Sequence, residues 1–342
     1  MSTRVLSQRE LNRALLARQL LLERSELSAT QALQRVAGLQ AQERMPPFIG
    51  LWSRLRDFRA EELQAELLRR RAVKGTLLRG TLHIVTARDY LLLMPALLPM
   101  VQNLWSSYLR DRRPVGDVDD LAQRALAFAA EPRTNAELRT HLGGDDEWWR
   151  ARRHAAFLHV PGDDRWGFPR LPRLVAAGAW LHRPFATADA GGTHLIRRYL
   201  GAFGPATVAD VSAWSGLPVA QLRPAVETLP LRRFADERGR ELFDVRNGPL
   251  PDPATPAPPR LLPAFDNLIL SHRDRTRVIA DEHRRTVITG GLVGPFFLVD
   301  GFVAGRWQLV DGRVELEPFE RLGAATERAL RHEADRLGAF AA

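Results

Sequence analysis

The chain has 342 residues, of which 45% are hydrophobic and 26% are charged, a composition typical of a folded globular protein. This length exceeds what one small core supports, so we expect two to four modules. The formal net charge of +9 favours a polyanionic partner, either nucleic acid or an anionic membrane surface. The chain has no cysteine, which excludes disulfides, thiolate nucleophiles, Cys-ligated zinc and iron–sulfur clusters.

Two further features refine this interpretation. Lys74 is the only lysine among 49 basic residues, a bias typical of GC-rich genomes, so the sign of the charge is stronger evidence than the arginine content. No signal-peptide core follows Met1, and the apolar run Tyr90–Val101 is too short to cross a bilayer. We therefore expect a cytoplasmic, nucleoid-associated protein with no membrane partner.

The N-terminal part predicts a helical unit that ends in a hairpin. Ser7 and Ser28 each begin a capping-box pattern, and the second of these helices is expected to reach Leu39. A helix over Ala60–Arg71 then leads to two predicted strands joined at the turn Arg79-Gly80. These strands cover Lys74–Leu78 and Thr81–Val85.

The second unit shows the same order of elements. A helix over Leu121–Ala130 precedes Thr134, which begins a capping box with Glu137, and Gly143-Gly144 makes a turn. We expect a third helix at Trp148–Leu158. A short wing should follow, made of His159–Val160 and Trp166–Phe168.

The third unit is the clearest. Thr207 begins a helix with Asp210 in the answering position of a capping box, Gly216 ends that helix, and Pro218 suits the first turn of the next. Two β-runs follow, Leu231–Ala235 and Arg240–Val245. Three helices and a hairpin form the winged helix-turn-helix plan, which usually grips duplex nucleic acid. A generic alternative remains, because any helical protein with hairpins can be divided into such units.

The C-terminal part differs in texture. Six prolines lie within residues 247–259 and favour a stiff extended connector. Beyond it, Leu261–Leu270 and Arg277–Ile279 suggest extended chain, and four later runs suggest a small antiparallel meander with Asp300-Gly301 and Asp311-Gly312 as hairpin turns. Those runs are Val287–Thr289, Phe296–Asp300, Phe302–Leu309 and Val314–Glu317, and a helix at Arg321–Leu337 closes the chain.

The predicted fold class is therefore α+β and mainly α, with three tandem winged helix-turn-helix units and a C-terminal α+β unit with a small antiparallel meander. The expected boundaries are residues 1–112 for the first winged helix with its extension, 113–190 and 191–248 for the next two, 249–263 for the connector, and 264–342 for the C-terminal unit.

Familiar catalytic patterns do not occur. The sequence has neither a phosphate-binding glycine loop nor a Gly-x-Ser-x-Gly elbow, and its nine histidines lack metal-binding spacing, so we expect no metal and no cofactor. Gln40 and Gln42 are the feature of interest. If the backbone is extended there, both amides share a face and could hold a water or read a base edge. The alternative is that both are solvated residues at a helix end.

A family resemblance bears on that choice. The motifs Gly38-Leu-Gln-Ala-Gln42, Leu51-Trp-Ser-Arg-Leu55, Leu78-Arg-Gly-Thr-Leu-His83, the block 261–275 and Val299–Trp307 occur in order along the chain. Together they resemble the AlkZ/YcaQ-type family of winged-helix DNA glycosylases, over essentially the whole chain. The resemblance implies three tandem winged helices around duplex DNA, with a Gln-x-Gln or Gln-x-Asp motif and a β-hairpin required for base excision. The Gln-x-Gln form here resembles the branch that acts on bulky alkylpurines and interstrand crosslinks.

Glutamine chemistry restricts the substrate. An amide is no general base near neutral pH, so it cannot activate water strongly. A purine alkylated at N7 or N3 is already cationic and leaves readily, so oriented amides are sufficient help. We therefore predict a monofunctional DNA glycosylase in which Gln40 and Gln42 position the water and the deoxyribose, without a covalent intermediate or lyase activity.

Other residues are candidates for contact with DNA. His83 could contact DNA or support the glutamines, or could be a hydrogen-bonded core histidine. The alternatives elsewhere are an ordinary surface position for Arg79, a structural pair of Asp274 with an arginine, and core packing for the aromatic residues of the strand after Asp300-Gly301. The protein is expected to bind duplex DNA carrying alkylated purines as a monomer, and Trp52, Trp105, Trp148, Trp149, Trp180 and Trp307 are expected in the core. The alternative function is a non-catalytic winged-helix DNA-binding protein, either a regulator or a lesion-binding resistance protein. The candidate DNA-binding residues are Arg79, His83, Arg150, Arg152, Arg153, His272, Arg273, Arg275, Phe302 and Arg306.

Overall fold

The computed structural model describes residues 3–104 and 116–342. Trp105, which we expected in the core, lies outside these residues. The helices of the described part are α1 Gln8–Arg18, α2 Ala29–Arg35, α3 Pro46–Trp52, α4 Ala60–Leu68, α5 Ala87–Asn103, α6 Val118–Phe128, α7 Asn135–Leu142, α8 Asp145–His154, α9 Ala177–Leu181, α10 Ala188–Phe203, α11 Val208–Ser215, α12 Val219–Thr228, α13 Asn267–Leu270, α14 Asp281–Val287 and α15 Ala324–Ala341.

Short strands connect these helices into sheets. They are β1 Val5–Leu6, β2 Leu39–Gln40, β3 Ala72–Thr76, β4 Leu82–Thr86, β5 Arg133–Thr134, β6 Phe157–His159, β7 Arg173–Ala176, β8 Arg232–Asp236, β9 Glu241–Asp244, β10 Arg260–Leu262, β11 Ile288–Thr289, β12 Leu292–Val293, β13 Phe296–Val299, β14 Phe302–Val310 and β15 Arg313–Pro318. The architecture is a mixed α and β fold in which helices predominate.

Capping residues set several helix starts as the sequence predicts. Ser7, Ser28, Thr134 and Thr207 each accept a hydrogen bond from the backbone three residues on, and each forms a complete capping box. Such a cap satisfies backbone N–H groups that the first turn leaves unpaired. At the other end of α11, Gly216 adopts the left-handed conformation that the sequence predicted.

The largest sheet spans two predicted units. Six strands lie in the order β2-β4-β3-β6-β7-β5, and every pairing in this sheet is antiparallel. Lys74 of β3 pairs with His159 of β6, so the hairpins of the first and second units form one surface. The predicted wing was wrong in its second strand, because β6 pairs with β7 and not with Trp166–Phe168. Phe168 is buried in the core instead.

The N-terminal strand pairs with the hairpin of the third predicted unit. Strand β1 pairs in parallel with β8, which forms an antiparallel hairpin with β9. A large core lies beneath, where α5 and α10 pack together. The apolar run at Tyr90–Val101 is thus a core helix, as predicted, and in the described ranges no helix is both long and apolar enough to span a membrane.

The C-terminal unit contains a four-stranded sheet in the order β10-β13-β14-β15, covered by α15. Both predicted hairpin turns form with positive φ at Asp300-Gly301 and Asp311-Gly312. The predicted connector 249–263 extends too far, because its residues 260–262 are β10, with Leu261 and Leu262 fully buried. Strands β11 and β12 form a separate two-stranded hairpin rather than part of the meander.

Several boundaries differ from prediction for local reasons. Helix α2 ends at Arg35 and not at Leu39, because Ala37 and Gly38 have positive φ and redirect the chain into β2. Helix α4 ends at Leu68, two residues before the left-handed Arg70. Helix α8 covers Asp145–His154, which leaves residues 157–159 for a strand, and Pro218 is the N-cap of α12. The stretch 261–270 is only partly extended, since it contains the short helix α13.

Candidate active site

The glutamine pair lies at the edge strand of the six-stranded sheet. Gln40 pairs with His83 of β4, and the Ala41 amide donates to the Leu82 carbonyl at 2.7 Å, so contact with β4 continues one residue beyond β2. Both glutamines lie at this edge of the sheet, Gln40 within β2 and Gln42 at the bend that follows it. Gln40 is 8% exposed, whereas Gln42 is exposed.

A residue of the C-terminal unit holds the turn that precedes this strand. Gly38 has φ +83°, and a Cβ added there would lie 2.5 Å from the Val85 side chain, so glycine suits both the backbone and the space. Asn267 Nδ2 donates to the Gly38 carbonyl at 3.0 Å. A residue more than two hundred positions away thus holds the turn that presents the glutamines.

Arg79 lies at the tip of the turn between β3 and β4, with φ 54°. Its Nη2 donates to Gln40 Oε1 at 2.9 Å, and its Nη1 donates to the Trp214 carbonyl of α11. Burial, and then the positive charge of Arg275, lowers the pKa of Arg79 to about 10, so the group is charged at neutral pH. The predicted phosphate contact is therefore bound to one of the two glutamines.

Gln42 makes a different contact. Its Oε1 accepts a hydrogen bond from the Leu82 amide at 3.0 Å. Together with the Ala41 to Leu82 bond, this contact ties residues 41 and 42 to the first residue of β4.

His83 is fully buried beneath the pair. Burial, and then the charge of Arg79, lowers the pKa of His83 to about 3, so the ring is neutral at physiological pH. Its Nδ1 lies 3.1 Å from the Thr81 carbonyl, which assigns the proton to Nδ1. Among the described residues, Nε2 has no hydrogen-bond partner. The alternative of a hydrogen-bonded core histidine fits this position, and direct contact with DNA does not.

A buried ion pair joins the same two parts of the chain. Arg54 Nη1 and Nη2 donate to the Asp266 carboxylate at 2.8 Å and 2.9 Å, and both side chains are fully buried. Arg54 also contacts Gln19 and the Gly50 carbonyl. Asp266 immediately precedes Asn267, so one short segment supplies both contacts. Sequence analysis missed these residues, although both motifs that contain them were noted.

Comparison with known proteins identifies the family of this chain. The profile of one family, described as DNA glycosylase AlkZ-like, matches residues 33–340. The chain belongs to the AlkZ-like DNA glycosylase family. An "Interstrand DNA cross-link repair glycosylase" of Streptomyces sahachiroi is 27% identical over 360 residues, with 94% of each chain covered. The solved structure of "Streptomyces sahachiroi DNA glycosylase AlkZ" has a TM-score of 0.82 at 23% identity, covering 98% of this chain and 97% of that one.

Membership of the AlkZ-like family confirms the predicted enzyme class, a DNA glycosylase.

Arg273 and Arg275 line a groove beside α11 and α12. Arg273 is exposed, whereas Arg275 is partly buried and its Nε donates to the Ile269 carbonyl at 3.0 Å. Asp274 between them accepts from Arg238 and Arg240 at 3.0 Å and 2.9 Å, which is the structural pairing that the sequence offered as an alternative. We call this surface the arginine groove; its arginines are Arg223, Arg238, Arg240, Arg273, Arg275 and Arg284.

His272 was wrongly predicted to contact DNA. It is 2% exposed, its Nδ1 lies 2.8 Å from Ser271 Oγ, and its Nε2 lies 3.1 Å from the Phe203 carbonyl. Burial, and then the charge of Arg277, lowers the pKa of His272 to about 3. The residue is a neutral core histidine.

The arginines of α8 do not form an exposed strip. Arg153 is 8% exposed, its Nη1 donates to the Trp149 carbonyl at 2.7 Å, and its guanidinium lies 3.7 Å from the Trp149 ring centroid. Arg150 and Arg152 are half-buried, and burial lowers the pKa of Arg152. Because the Arg153 guanidinium is buried against Trp149 of the same helix, we do not retain Arg153 as a phosphate contact.

Side chains of the Asp300-Gly301 hairpin are also engaged in contacts within the protein. Arg306 Nη2 contacts both carboxylate oxygens of Glu317 at 2.7 Å and 2.8 Å, and Phe302 is half-buried. Trp307 Nε1 donates to the Leu262 carbonyl, so Trp307 is core, as predicted. Trp52 and Trp148 are buried too, whereas Trp149 and Trp180 are only partly buried.

One group of possible metal ligands was not apparent from the sequence. Donor atoms of Glu282, His283 and Glu320 lie within 4.8 Å of one another at the surface. The two glutamates are exposed, and exposed acidic groups of this kind are common without an ion, so the group carries no metal assignment.

Proposed function

We propose that this enzyme hydrolyses the N-glycosidic bond of cationic alkylated purines, alkylated at N7 or N3, in duplex DNA. The observation that carries the proposal is the chemistry of the pair on β2. Gln40 and Gln42 hydrogen-bond to a guanidinium and a backbone amide, and neither has a carboxylate partner within residues 3–104 and 116–342. A site without a strong base suits a leaving group that already carries positive charge.

Bulky adducts and interstrand crosslinks are included in the proposed substrates. The Streptomyces sahachiroi relative is named as a crosslink repair glycosylase, and its similarity extends over nearly the whole chain. An exposed Gln42 at a sheet edge leaves space for an adduct, which a closed base pocket would exclude.

We propose that three winged-helix units surround the duplex. Their limits are those expected from the sequence, and β10 belongs to the C-terminal unit. The helices α11 and α12 with the β8–β9 hairpin match the helix, helix and wing order of that motif, and the arginine groove lies beside them. Exposed arginines in such a groove can neutralise backbone phosphates. We further propose that the enzyme acts as a monomer in the cytoplasm.

We propose that the β11–β12 hairpin enters the DNA. Its tip is Gly290-Gly291-Leu292, and Leu292 is 63% exposed although it is a large apolar residue. Helix α14 leads directly into it from Arg284, whose charge acts on Arg275, and the charge of Arg275 in turn acts on Arg79. The hairpin therefore begins four residues after Arg284, an arginine of the arginine groove.

Monofunctional hydrolysis without lyase activity is proposed from the position of Lys74. Gly75 of β3 pairs with His83 of β4, which pairs with Gln40 of β2, so these three residues share one face of the sheet. Lys74 is the neighbour of Gly75 in an extended strand, so its amine points to the opposite face. It is 5% exposed and lies 4.8 Å from the Phe168 ring centroid. An amine in that position cannot reach a substrate bound at the glutamines.

Mass spectrometry of bases released from duplex DNA tests the proposal. DNA treated with N7-, N3- and crosslink-forming alkylating agents should release the alkylated purines and leave abasic sites, and undamaged DNA should release none. Release of uncharged or unmodified bases only would contradict the proposed substrate class. No release, together with a footprint at one palindromic site, would favour the non-catalytic regulator.

A further inference from the structure

The orientation of the Gln40 amide is determined by its partner. Arg79 Nη2 lies 2.9 Å from Gln40 Oε1, and a guanidinium has only donors. The oxygen of the amide must therefore face Arg79, and the NH2 group must point away from it.

The NH2 group is left for the substrate. Gln40 Nε2 has no hydrogen-bond partner in the described ranges, and it is not among the fully enclosed polar atoms, so the remaining 8% exposure of the residue leaves it accessible. Gln42 has the same polarity, because its oxygen accepts from the Leu82 amide. The pair thus presents donors rather than acceptors.

Arg79 is held firmly enough to impose this polarity. Its second nitrogen donates to the Trp214 carbonyl, and the backbone of its turn packs against Gly216, where an added Cβ would lie 3.3 Å from Arg79 Cα. Because both terminal nitrogens of the guanidinium are hydrogen-bonded inside a packed turn, Arg79 is held in one orientation, unlike an unpaired surface arginine that could bind a phosphate.

We propose that Arg79 is a positioning residue for base excision, which fixes Gln40 so that its N–H donates to the electron-rich edge of the departing purine. The inference rests on the proposed function. In the reaction the C1′–N9 bond breaks and its electron pair passes to the purine, which neutralises the alkyl cation. Water forms the new bond to C1′ and its proton goes to solvent, so Gln40 exchanges no proton.

The direction of charge movement identifies the acceptor. Electron density on the purine rises as the bond breaks, so a fixed donor stabilises the transition state more than the ground state. The ring oxygen of the sugar becomes electron-poor at the same time, so a donor aimed there would oppose the reaction. The purine edge is therefore the partner that makes Gln40 useful.

Single-turnover base release from an N7-methylguanine duplex at saturating enzyme tests the inference with two variants. Arg79→Lys keeps the positive charge but replaces the rigid two-nitrogen guanidinium by a single ammonium on a flexible stem, and Gln40→Glu keeps an oxygen for Arg79 but removes the donor. We expect each to lower the maximal rate by about 10- to 100-fold. For Arg79→Lys, the half-saturating concentration and its salt dependence should stay within about 2-fold of wild type. Arg88→Lys, at an exposed arginine on α5, is the matched control and should behave as wild type.

Two outcomes would overturn the assignment. If Arg79→Lys changes the half-saturating concentration and its salt dependence but not the maximal rate, Arg79 is a phosphate contact. Gln40→Glu at wild-type rate would show that the oxygen end of the amide does the work. Thermal unfolding of each variant checks that the fold is retained.

Side-chain amide NMR separates this inference from the proposed function. The NH2 signals of Gln40, assigned by their loss in Gln40→Glu, should shift in free Arg79→Lys protein, and unchanged signals would refute the contact. If they shift but the wild-type enzyme releases no alkylpurine, the proposed function fails, and with it the catalytic part of the inference.

Discussion

His83 and His272 are neutral imidazoles enclosed in the core, with pKa values lowered by burial to about 3. The unfolded chain takes up protons on both near pH 6.5, whereas the folded protein keeps them neutral down to about pH 3. Between these limits the unfolded state holds more protons, so the free energy of unfolding must fall as the pH falls.

We predict a loss of about 1.4 kcal/mol per pH unit for each histidine between pH 6 and 4.5. Urea unfolding at half-unit steps measures it. His83→Asn and His272→Asn should each reduce the slope by that amount, whereas His332→Gln, at an exposed histidine of α15, should not. A free energy of unfolding that stays constant across this range would show that the rings are protonated in the folded state.

Sequence reasoning located the glutamines but not their partners. The spacing of Gln40 and Gln42 predicts a shared face because extended chain alternates, a local property. The partner of Gln40 is Arg79, 39 residues away, and the turn before it is held by Asn267. His272 was misassigned for the same reason, since its partner Phe203 lies on α10, 69 residues away along the chain. Such contacts depend on tertiary packing that no local pattern encodes.

The two type I′ turns of the C-terminal sheet have similar conformations but different surroundings. Gly301 and Gly312 have φ of +82° and +78°. A Cβ at Gly301 would lie 2.5 Å from Leu16 Cδ1 and 2.6 Å from Asn12 Oδ1, whereas one at Gly312 would meet no atom within 4 Å. The first turn therefore packs against α1, and the second is open.

Alanine at these positions separates strain from packing. Gly312→Ala should cost about 1 kcal/mol from the left-handed backbone alone. Gly301→Ala should cost a further 1–3 kcal/mol, roughly, because α1 must move. Denaturant unfolding of both variants measures the difference, and equal losses would contradict the contact between this turn and α1.

Helix and hairpin starts were the elements best predicted from sequence. Capping boxes at Ser7, Ser28, Thr134 and Thr207 and the Asp-Gly turns each require only a few adjacent residues. The partner of β6 was predicted wrongly because Trp166–Phe168 follows it closely and looks strand-like. Burial of Phe168 in a different core moved the pairing to β7, fourteen residues beyond His159.

At the scale of the whole molecule, one sheet joins the first two predicted units, and the segment at Asp266-Asn267 connects the C-terminal unit to the glutamine strand. Sequence analysis described separate modules because each hairpin is local, whereas the pairing of β3 with β6 links residues 85 positions apart. The site is therefore assembled by the complete chain.

Electrostatic binding belongs to this scale. We predict that the affinity for undamaged duplex falls steeply with salt, and that Arg223→Ala and Arg273→Ala each reduce the slope of log K against log salt by about 1. Both residues are exposed in the arginine groove. Fluorescence anisotropy measures the slopes. Arg56→Ala, outside the groove and paired with Glu26, should leave the slope unchanged, and equal effects of all three would refute the groove as the DNA surface.

The most direct test of the central claim is single-turnover release of N7-methylguanine from duplex DNA by the Gln40→Ala, Gln42→Ala double variant. The matched control is Gln123→Ala, at an exposed glutamine on α6. We expect the wild-type and control enzymes to release the base and the double variant to lose at least about 100-fold in rate, with its fold and DNA affinity retained. A correctly folded double variant that releases the base at the wild-type rate would contradict the claim that these two amides perform the excision.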